Sequence, residues 1–242
     1  MESVYFLGCR FDTGSIEDAV CNILSETRGG FKYVVTPNVH HMVRLLEDPA
    51  TLQPLYERAS RVFCDSRVLS CLAWFSGRML PVITGSDLTA HLIARAAEQR
   101  LTIALIGPTA AACAVLGDRY PGLNVAFHTP PMGFIKSEHE IQKCVDFVAK
   151  TQAALIFLAV GMPQQEILAG HIADHSQARG VGLCIGASID FLTGKERRAP
   201  LWLRKIGLEW LHRLLSDPRR LASRYLIECP RIFYLILKPK NN

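Results

Sequence analysis

The strongest constraint on this chain is a series of short apolar runs with no polar alternation. Residues 155–160 are almost wholly apolar, and residues 101–106 and 181–185 are nearly so. A strand that is apolar on both faces must be covered on both, as in a parallel sheet between two helical layers. Between these runs lie stretches of helical period, so the pattern is strand, helix, strand. Strands are predicted at 31–35, 61–64, 101–106, 125–127 (the weakest), 155–160 and 181–185. Helices are predicted from 39 and from Ala110. With 49% apolar and 20% charged residues, 242 residues are enough to bury a core of this kind.

The unusual residues gather at one place in this pattern. Thr36, Asn38, Asp65, Gly107, Gly161, Gln164, Gln165, Gly186 and Ser188 all fall at or just after the C-terminal end of a predicted strand. In open α/β sheets that edge is where loops and helix N-termini converge and where ligands bind. Taken singly, Gly and Ser at such positions only make tight turns, and Asp65 reads equally well as a helix cap or as a desolvated proton acceptor. Taken together, the polar side chains beside the glycines point to a site. Pro163 suits the first turn of a helix and leaves backbone N–H groups free beside Gln164 and Gln165.

After about residue 194 the texture changes. Residues 195–242 carry twelve Lys and Arg against four Asp and Glu, whereas the first 194 carry fifteen against eighteen. A basic tail on an acidic body calls for an anionic partner. Trp202, Ile206, Trp210, Phe233 and Tyr234 interleave with Arg204, Lys205 and Arg213, as in an element that lies on a membrane surface; a helical cap with a solvated basic face has the same composition. The division expected is therefore a body, 1–194, and a basic helical appendage, 195–242. No apolar run approaches the roughly twenty residues of a membrane-spanning helix. The first residues lack a basic signal region, which gives a cytoplasmic expectation. Eight cysteines show no C-x-x-C pair and no regular framework, so they read as free thiols.

Several motifs are missing. There is no G-x-G-x-x-G, since Gly180, Gly182 and Gly186 are wrongly spaced, and there is no G-x-x-x-x-G-K-[ST]. No H-E-x-x-H or D-x-D occurs, and the adjacent His40 and His41 cannot share a metal face. What remains is a phosphate-binding edge whose counter-charge comes from helix N-termini, amides and arginines. From the residues alone, a nucleotide-dependent dehydrogenase or epimerase and a non-enzymatic, polyanion- or membrane-binding module stay open beside a transferase.

Seven blocks occur in order: Thr36-Pro37-Asn38, Asp65, Thr84-Gly85-Ser86-Asp87-Leu88, Gly161-Met162-Pro163-Gln164-Gln165-Glu166, Gly186-Ala187-Ser188-Ile189-Asp190-Phe191, Arg197-Arg198-Ala199-Pro200 and Gly207-Leu208-Glu209-Trp210-Leu211. Together they resemble the WecG/TagA/CpsF family of glycosyltransferases over about residues 34–225. The resemblance implies a Rossmann-like α/β body with helices on both faces of a mainly parallel sheet, and a C-terminal helical appendage that touches the membrane. It implies an inverting, metal- and cofactor-independent transfer from a UDP-sugar to a polyprenyl-diphosphate-linked saccharide. The setting is exopolysaccharide synthesis at the inner face of the cell membrane, with no nucleic-acid partner. It also implies Asp65 as base, Thr36 as an active-site threonine, Gln165 as the motif glutamine, and Arg213 and Arg220 as appendage arginines that reach the diphosphate; Arg198 and Arg224 are further candidate substrate-binding arginines. The chain departs from the family pattern at Ser66-Arg67 in place of a glycine, at Gln164 in place of the motif lysine, and at Val82 in place of an arginine. The last job falls to Arg67 or Arg78.

Overall fold

The computed structural model describes residues 2–237. A hairpin of β1 (Ser3–Phe6) and β2 (Cys9–Asp12) leads into α1 (Ile16–Ser25). Then follow β3 (Lys32–Val35), α2 (Val39–Glu47), α3 (Pro49–Arg58), β4 (Arg61–Val62), α4 (Arg67–Phe75) and α5 (Gly85–Glu98). The body continues with β5 (Thr102–Ile106), α6 (Ala110–Arg119), β6 (Asn124–His128), α7 (Glu138–Thr151), β7 (Leu155–Leu158), α8 (Gln164–Ala173), β8 (Val181–Cys184) and α9 (Ser188–Leu192). Strands β3 to β8 form one six-stranded sheet in the order β4-β3-β8-β7-β5-β6, and every pairing is parallel.

The unbroken apolar runs are explained by what lies on each side. Val35, Ile106, Ile156 and Leu158 face a core with Met42 and Val43 of α2, Leu52 of α3, Val148 of α7 and Leu168 of α8. Their neighbours Val34, Leu105, Leu155 and Phe157 face a second core with Ile23 of α1, Leu88 and Leu92 of α5, Leu116 of α6 and Ile189 of α9. Successive strand residues point to opposite faces, so both must be apolar. The weakest predicted strand is β6, at the sheet edge, where Phe127 is 43% exposed.

The predicted strands overrun slightly at their ends. The run 155–160 leaves the sheet after Leu158 because the chain there presses on the end of β5. A Cβ on Gly107 (φ +112°) would stand 2.8 Å from the Ala159 carbonyl oxygen. The hairpin β1–β2 is not signalled by the sequence. Its turn, Leu7-Gly8, takes positive φ at both residues, and leucine is not a turn-forming residue. The hairpin is tied to the sheet by Asp12, whose buried carboxylate accepts the Val62 N–H at 2.8 Å.

The tail forms α10 (Leu201–Lys205), α11 (Glu209–Ser216), α12 (Pro218–Ala222), a π-helical turn (Ser223–Glu228) and α13 (Arg231–Leu237). It folds back over the C-terminal edge of the sheet. Leu214 and Leu221 are buried, and Ile232 of α13 joins the first core beside α2. No helix among the described residues is long and apolar enough to cross a membrane. All eight cysteines are free, with Cys9, Cys64, Cys113, Cys144 and Cys184 buried.

Two glycines test this packing. Gly180 has φ +86°, and a Cβ on it would lie 2.2 Å from the Ala153 carbonyl oxygen. Gly117, inside α6, has nothing within 4 Å of a Cβ. Gly180→Ala should cost more than about 2 kcal/mol in urea unfolding, whereas Gly117→Ala should gain about 0.5–1 kcal/mol.

Candidate active site

Three helices begin at the same end of the sheet and point their N-termini at one cavity. Asn38 caps α2, accepting the His40 N–H at 3.1 Å; Ser66 caps α4, accepting the Leu69 N–H at 3.2 Å; Thr84 caps α5, accepting the Asp87 N–H at 3.1 Å. The cavity between them and the tail holds about 510 Å³, within the range of small-molecule sites. Its lining takes Asn38 and His40 from α2, Arg67 from α4, Ser86 and Asp87 from α5, and Glu209, Trp210 and Arg213 from α11. Three converging helix N-termini give the wall a positive potential suited to phosphate.

Asp65 stands in that wall, at the end of the chain segment that leaves β4. The cap of α4 is Ser66, so the Asp65 carboxylate is not spent on capping. Burial raises its pKa to about 7, and the nearby Glu209 pushes in the same direction. Arg213, the Gly85 N–H and Arg198 pull it back. A carboxyl in that range is half-ionised near neutral pH and accepts a proton far better than an ordinary aspartate. Thr36 lies just behind it, buried, and donates to the Cys184 carbonyl at 3.3 Å. Gly85 allows the approach of the two: a Cβ there would sit 2.7 Å from Thr36 Oγ1 and 3.6 Å from Asp65 Oδ2.

The arginines divide by what they already bind. Arg198 donates to both Asp87 oxygens, at 2.5 and 3.0 Å, and Arg204 donates to the same carboxylate at 3.1 Å. Burial would raise the Asp87 carboxyl; hydrogen bonds from Arg198 and Thr84 outweigh it and hold it below its usual value. This clamp fastens the tail to the first turn of α5. A second tie joins His40 to Glu228 at 2.9 Å. Arg220 is held by Asp217 at 2.6 Å and Glu196 at 2.8 Å. Among the described residues Arg213 has only Glu196, at 3.9 Å, and it lies over the Phe191 ring. Arg224 has Asn38 Oδ1 at 3.4 Å and the Tyr225 face. The Nε atoms of Arg213 and Arg224 are buried without a partner, and Arg67 is exposed with no ion pair among the described residues.

Of the residues singled out from the sequence, Asn38, Asp65, Arg67 and Arg213 line the large cavity. Gly107 and Gly186 line a separate cleft of about 100 Å³ with Thr109, Asp190 and Lys195. Gly161 and Gln164 line neither. Gln165 is buried, its oxygen accepting the Gly186 N–H at 2.9 Å and its nitrogen donating to Glu166 at 2.8 Å, so it pins two strand-end loops together. Ser188 is buried and donates to the Ile185 carbonyl at 2.7 Å. The helix ends that face the large cavity are those of α2, α4 and α5, whereas the sequence pattern pointed to those beside Gly107 and Gly161. Sequence reasoning also missed Asp87, Arg204 and Glu209 as site residues. The Thr-Gly-Ser-Asp and Gly-Leu-Glu-Trp blocks contained them, but no spacing rule brings residues 87 and 204 together. Among the described residues, no three His, Cys, Asp or Glu side chains gather closely enough to hold a metal ion.

Residues 4–242 match the model of the glycosyl transferase WecG/TagA/CpsF family. The chain is similar to the N-acetylglucosaminyldiphosphoundecaprenol N-acetyl-beta-D-mannosaminyltransferase of Bacillus spizizenii strain W23, at 26% identity over 220 residues, 89% of this chain and 81% of that protein. It is also similar to the enzyme of the same name from Bacillus subtilis strain 168, at 25% identity over 171 residues, 69% of this chain and 64% of that protein. Neither the dehydrogenase reading nor the non-enzymatic module finds support among these matches.

The raised Asp65 pKa has a consequence for stability. Because the folded value lies above the ordinary 3.8, this group's contribution is full below about pH 4 and is lost as pH rises through about 7. Asp65→Asn removes the cost of holding the charge. At pH 8 the variant should be more stable than the parent by on the order of 1 kcal/mol, a gain that fades toward pH 4 in denaturant titrations at both pH values.

Proposed function

We propose that this chain, which belongs to the glycosyl transferase WecG/TagA/CpsF family, moves a sugar from UDP to a saccharide carried on a polyprenyl diphosphate, with Asp65 as general base. The observation that carries the reading is the placement of Asp65: a partly buried carboxyl with pKa about 7, in the wall of a cavity where three helix N-termini and unspent arginines converge. The relatives' names supply the acceptor class, a diphosphoundecaprenol-linked N-acetylglucosamine, and make an N-acetylhexosamine the first donor sugar to test.

The reaction is a single in-line displacement with inversion. The acceptor hydroxyl attacks the anomeric carbon and gives its proton to Asp65, while the bond from that carbon to the UDP oxygen breaks. The negative charge that grows on the diphosphate meets the N-termini of α2, α4 and α5 and the guanidinium groups of Arg67 and Arg213. The Gly85 N–H holds the Asp65 carboxylate in place, and the missing side chain of Gly85 leaves room for Thr36 beside it. Trp210 and Tyr225, with ring centroids 6.0 Å apart, give the cavity an aromatic wall for a sugar ring. Arg224, beside Asn38, serves the acceptor diphosphate. Arg220, paired twice, keeps the tail in shape, and Gln165 keeps the Gly186 loop in register.

The tail does two jobs in this reading. It supplies Glu209, Trp210 and Arg213 to the cavity, and its basic, aromatic surface rests on the inner face of the cell membrane, where the acceptor lies. The product enters a cell-surface polysaccharide, and exopolysaccharide is our assignment.

Asp65→Asn should lower turnover by about 10²–10⁴ while UDP binding, read by calorimetry, survives. In the parent, kcat/KM should rise with pH along a limb centred near 7, because only the ionised carboxylate accepts the proton. A variant with near-parental turnover and an intact fold would remove Asp65 from the mechanism. A chain ending at Lys195 should lose transfer and the tail's share of vesicle binding.

A further inference from the structure

A feature outside the tail also faces solvent in a way that cores and ordinary loops do not. Residues 74–79, Trp-Phe-Ser-Gly-Arg-Met, are six consecutive exposed residues between buried Ala73 and Leu80. Trp74 is 62% exposed, and Phe75 and Met79 are each 75% exposed. Isolated exposed apolar side chains need no explanation, but three large ones on one turn do.

We propose that the catalytic body carries its own bilayer contact, in which residues 74–79 seat Trp74, Phe75 and Met79 in the head-group region of an anionic lipid surface. The proposal rests on the reading of the acceptor as a lipid-carried saccharide.

The turn is rigid. Gly77 (φ +73°) donates to the Trp74 carbonyl and Arg78 N–H reaches the Ala73 carbonyl, both at 2.9 Å, which closes α4 with a left-handed cap. Ser70 Oγ donates to the Leu80 carbonyl at 2.6 Å, anchoring the return strand of the turn. Trp74 and Phe75 pack edge to face, with centroids 5.1 Å apart. The aromatic side chains are thus held outward at little further ordering cost on insertion.

Charge fits the same partner. From residue 66 to residue 86 there is no Asp or Glu, and Arg67 and Arg78 are both exposed. Tryptophan, phenylalanine and arginine together suit the boundary between head groups and acyl chains. The position fits too. The segment starts at the cavity wall with Arg67 and Val68, turns at the exposed tip, and returns to the wall at Val82. The tail meets it at its base, where a Cβ on Gly207 would stand 3.4 Å from Arg67 Cβ. Gly207 follows α10, where Leu201, Trp202 and the capping Ile206 are exposed beside Lys205. A body contact and a tail contact therefore join at the mouth of the cavity that takes the acceptor.

A second copy of the chain fits less well. The three side chains offer roughly 400 Å² of contact, about half of what one partner gives a standard protein interface.

The test uses the full chain with Trp202→Phe and Trp210→Phe, so that Trp74 is the sole tryptophan. Vesicles of phosphatidylglycerol and phosphatidylcholine, without any lipid-linked sugar, should shift its emission to the blue, and brominated lipids should quench it. In the parent background, Trp74→Ser with Phe75→Ser and Met79→Ser should weaken vesicle partitioning about tenfold or more. The triple variant should keep its turnover on a short-chain, water-soluble diphosphate acceptor. Unquenched Trp74 on vesicle-bound protein, or undiminished partitioning of the triple variant, would overturn the proposal. A blue shift that grows with protein concentration in the absence of lipid would assign the turn to self-association instead. If the parent transfers nothing to any diphosphate acceptor while Trp74 is still quenched, the acceptor reading fails and the lipid contact stands.

Discussion

Covering a parallel sheet on both faces forces every strand to be followed by a helix that runs back along it, so all strand-to-helix turns gather at one edge. In this protein that constraint places Thr36, Asp65, Gly107, Gly161 and Gly186 at the same end of the molecule, although they span 150 residues of chain. It also turns the N-termini of α2, α4 and α5 toward a common space. The two apolar cores supply the stability, and the edge they leave uncovered is where the polar chemistry collects. The tail closes over that edge from outside and converts an open rim into a cavity.

Charge decides how the closure works. A tail with twelve basic residues has more cations than one diphosphate can use. Arg198 and Arg204 are consumed by Asp87 and Arg220 by Asp217 and Glu196, whereas Arg213, which lines the cavity, meets only a distant Glu196 carboxylate among the described residues. Asp87 is therefore as much a part of the site as the arginines, because it fixes the tail on α5 and removes two guanidinium groups from competition. Glu209 acts in the opposite sense, since its carboxylate beside Asp65 helps to raise the Asp65 pKa. An aspartate that would be fully ionised on the surface is held near the point at which it can exchange a proton.

Much of this was legible in the residue pattern. Strands without alternation imply cover on both faces, and the turn residues after them mark the ligand edge, so the fold class and the strand positions follow from local chemistry; position alone left Asp65 open between a helix cap and a proton acceptor. The overrun of β7 was not legible, because Ala159 turns away only where it meets the backbone at Gly107. The hairpin β1–β2 gave no signal, since its turn uses a leucine at positive φ and its strands are too short to show a period. Gln165 looked like a ligand side chain because glutamine is polar and stands at a strand end. Only the packed neighbours show that its oxygen is taken by Gly186.

The boundary between the two kinds of knowledge is physical. Periodicity and turn chemistry act over a few residues, so one chain is enough to read which elements form and which edge of the sheet is reactive. Ion pairing depends on distance in space, and residues 87 and 198 meet at 2.5 Å across 111 positions of sequence. Hence the choice of which helix ends face the cavity, which arginines remain free, and how far the Asp65 proton affinity rises belonged to the tertiary structure alone.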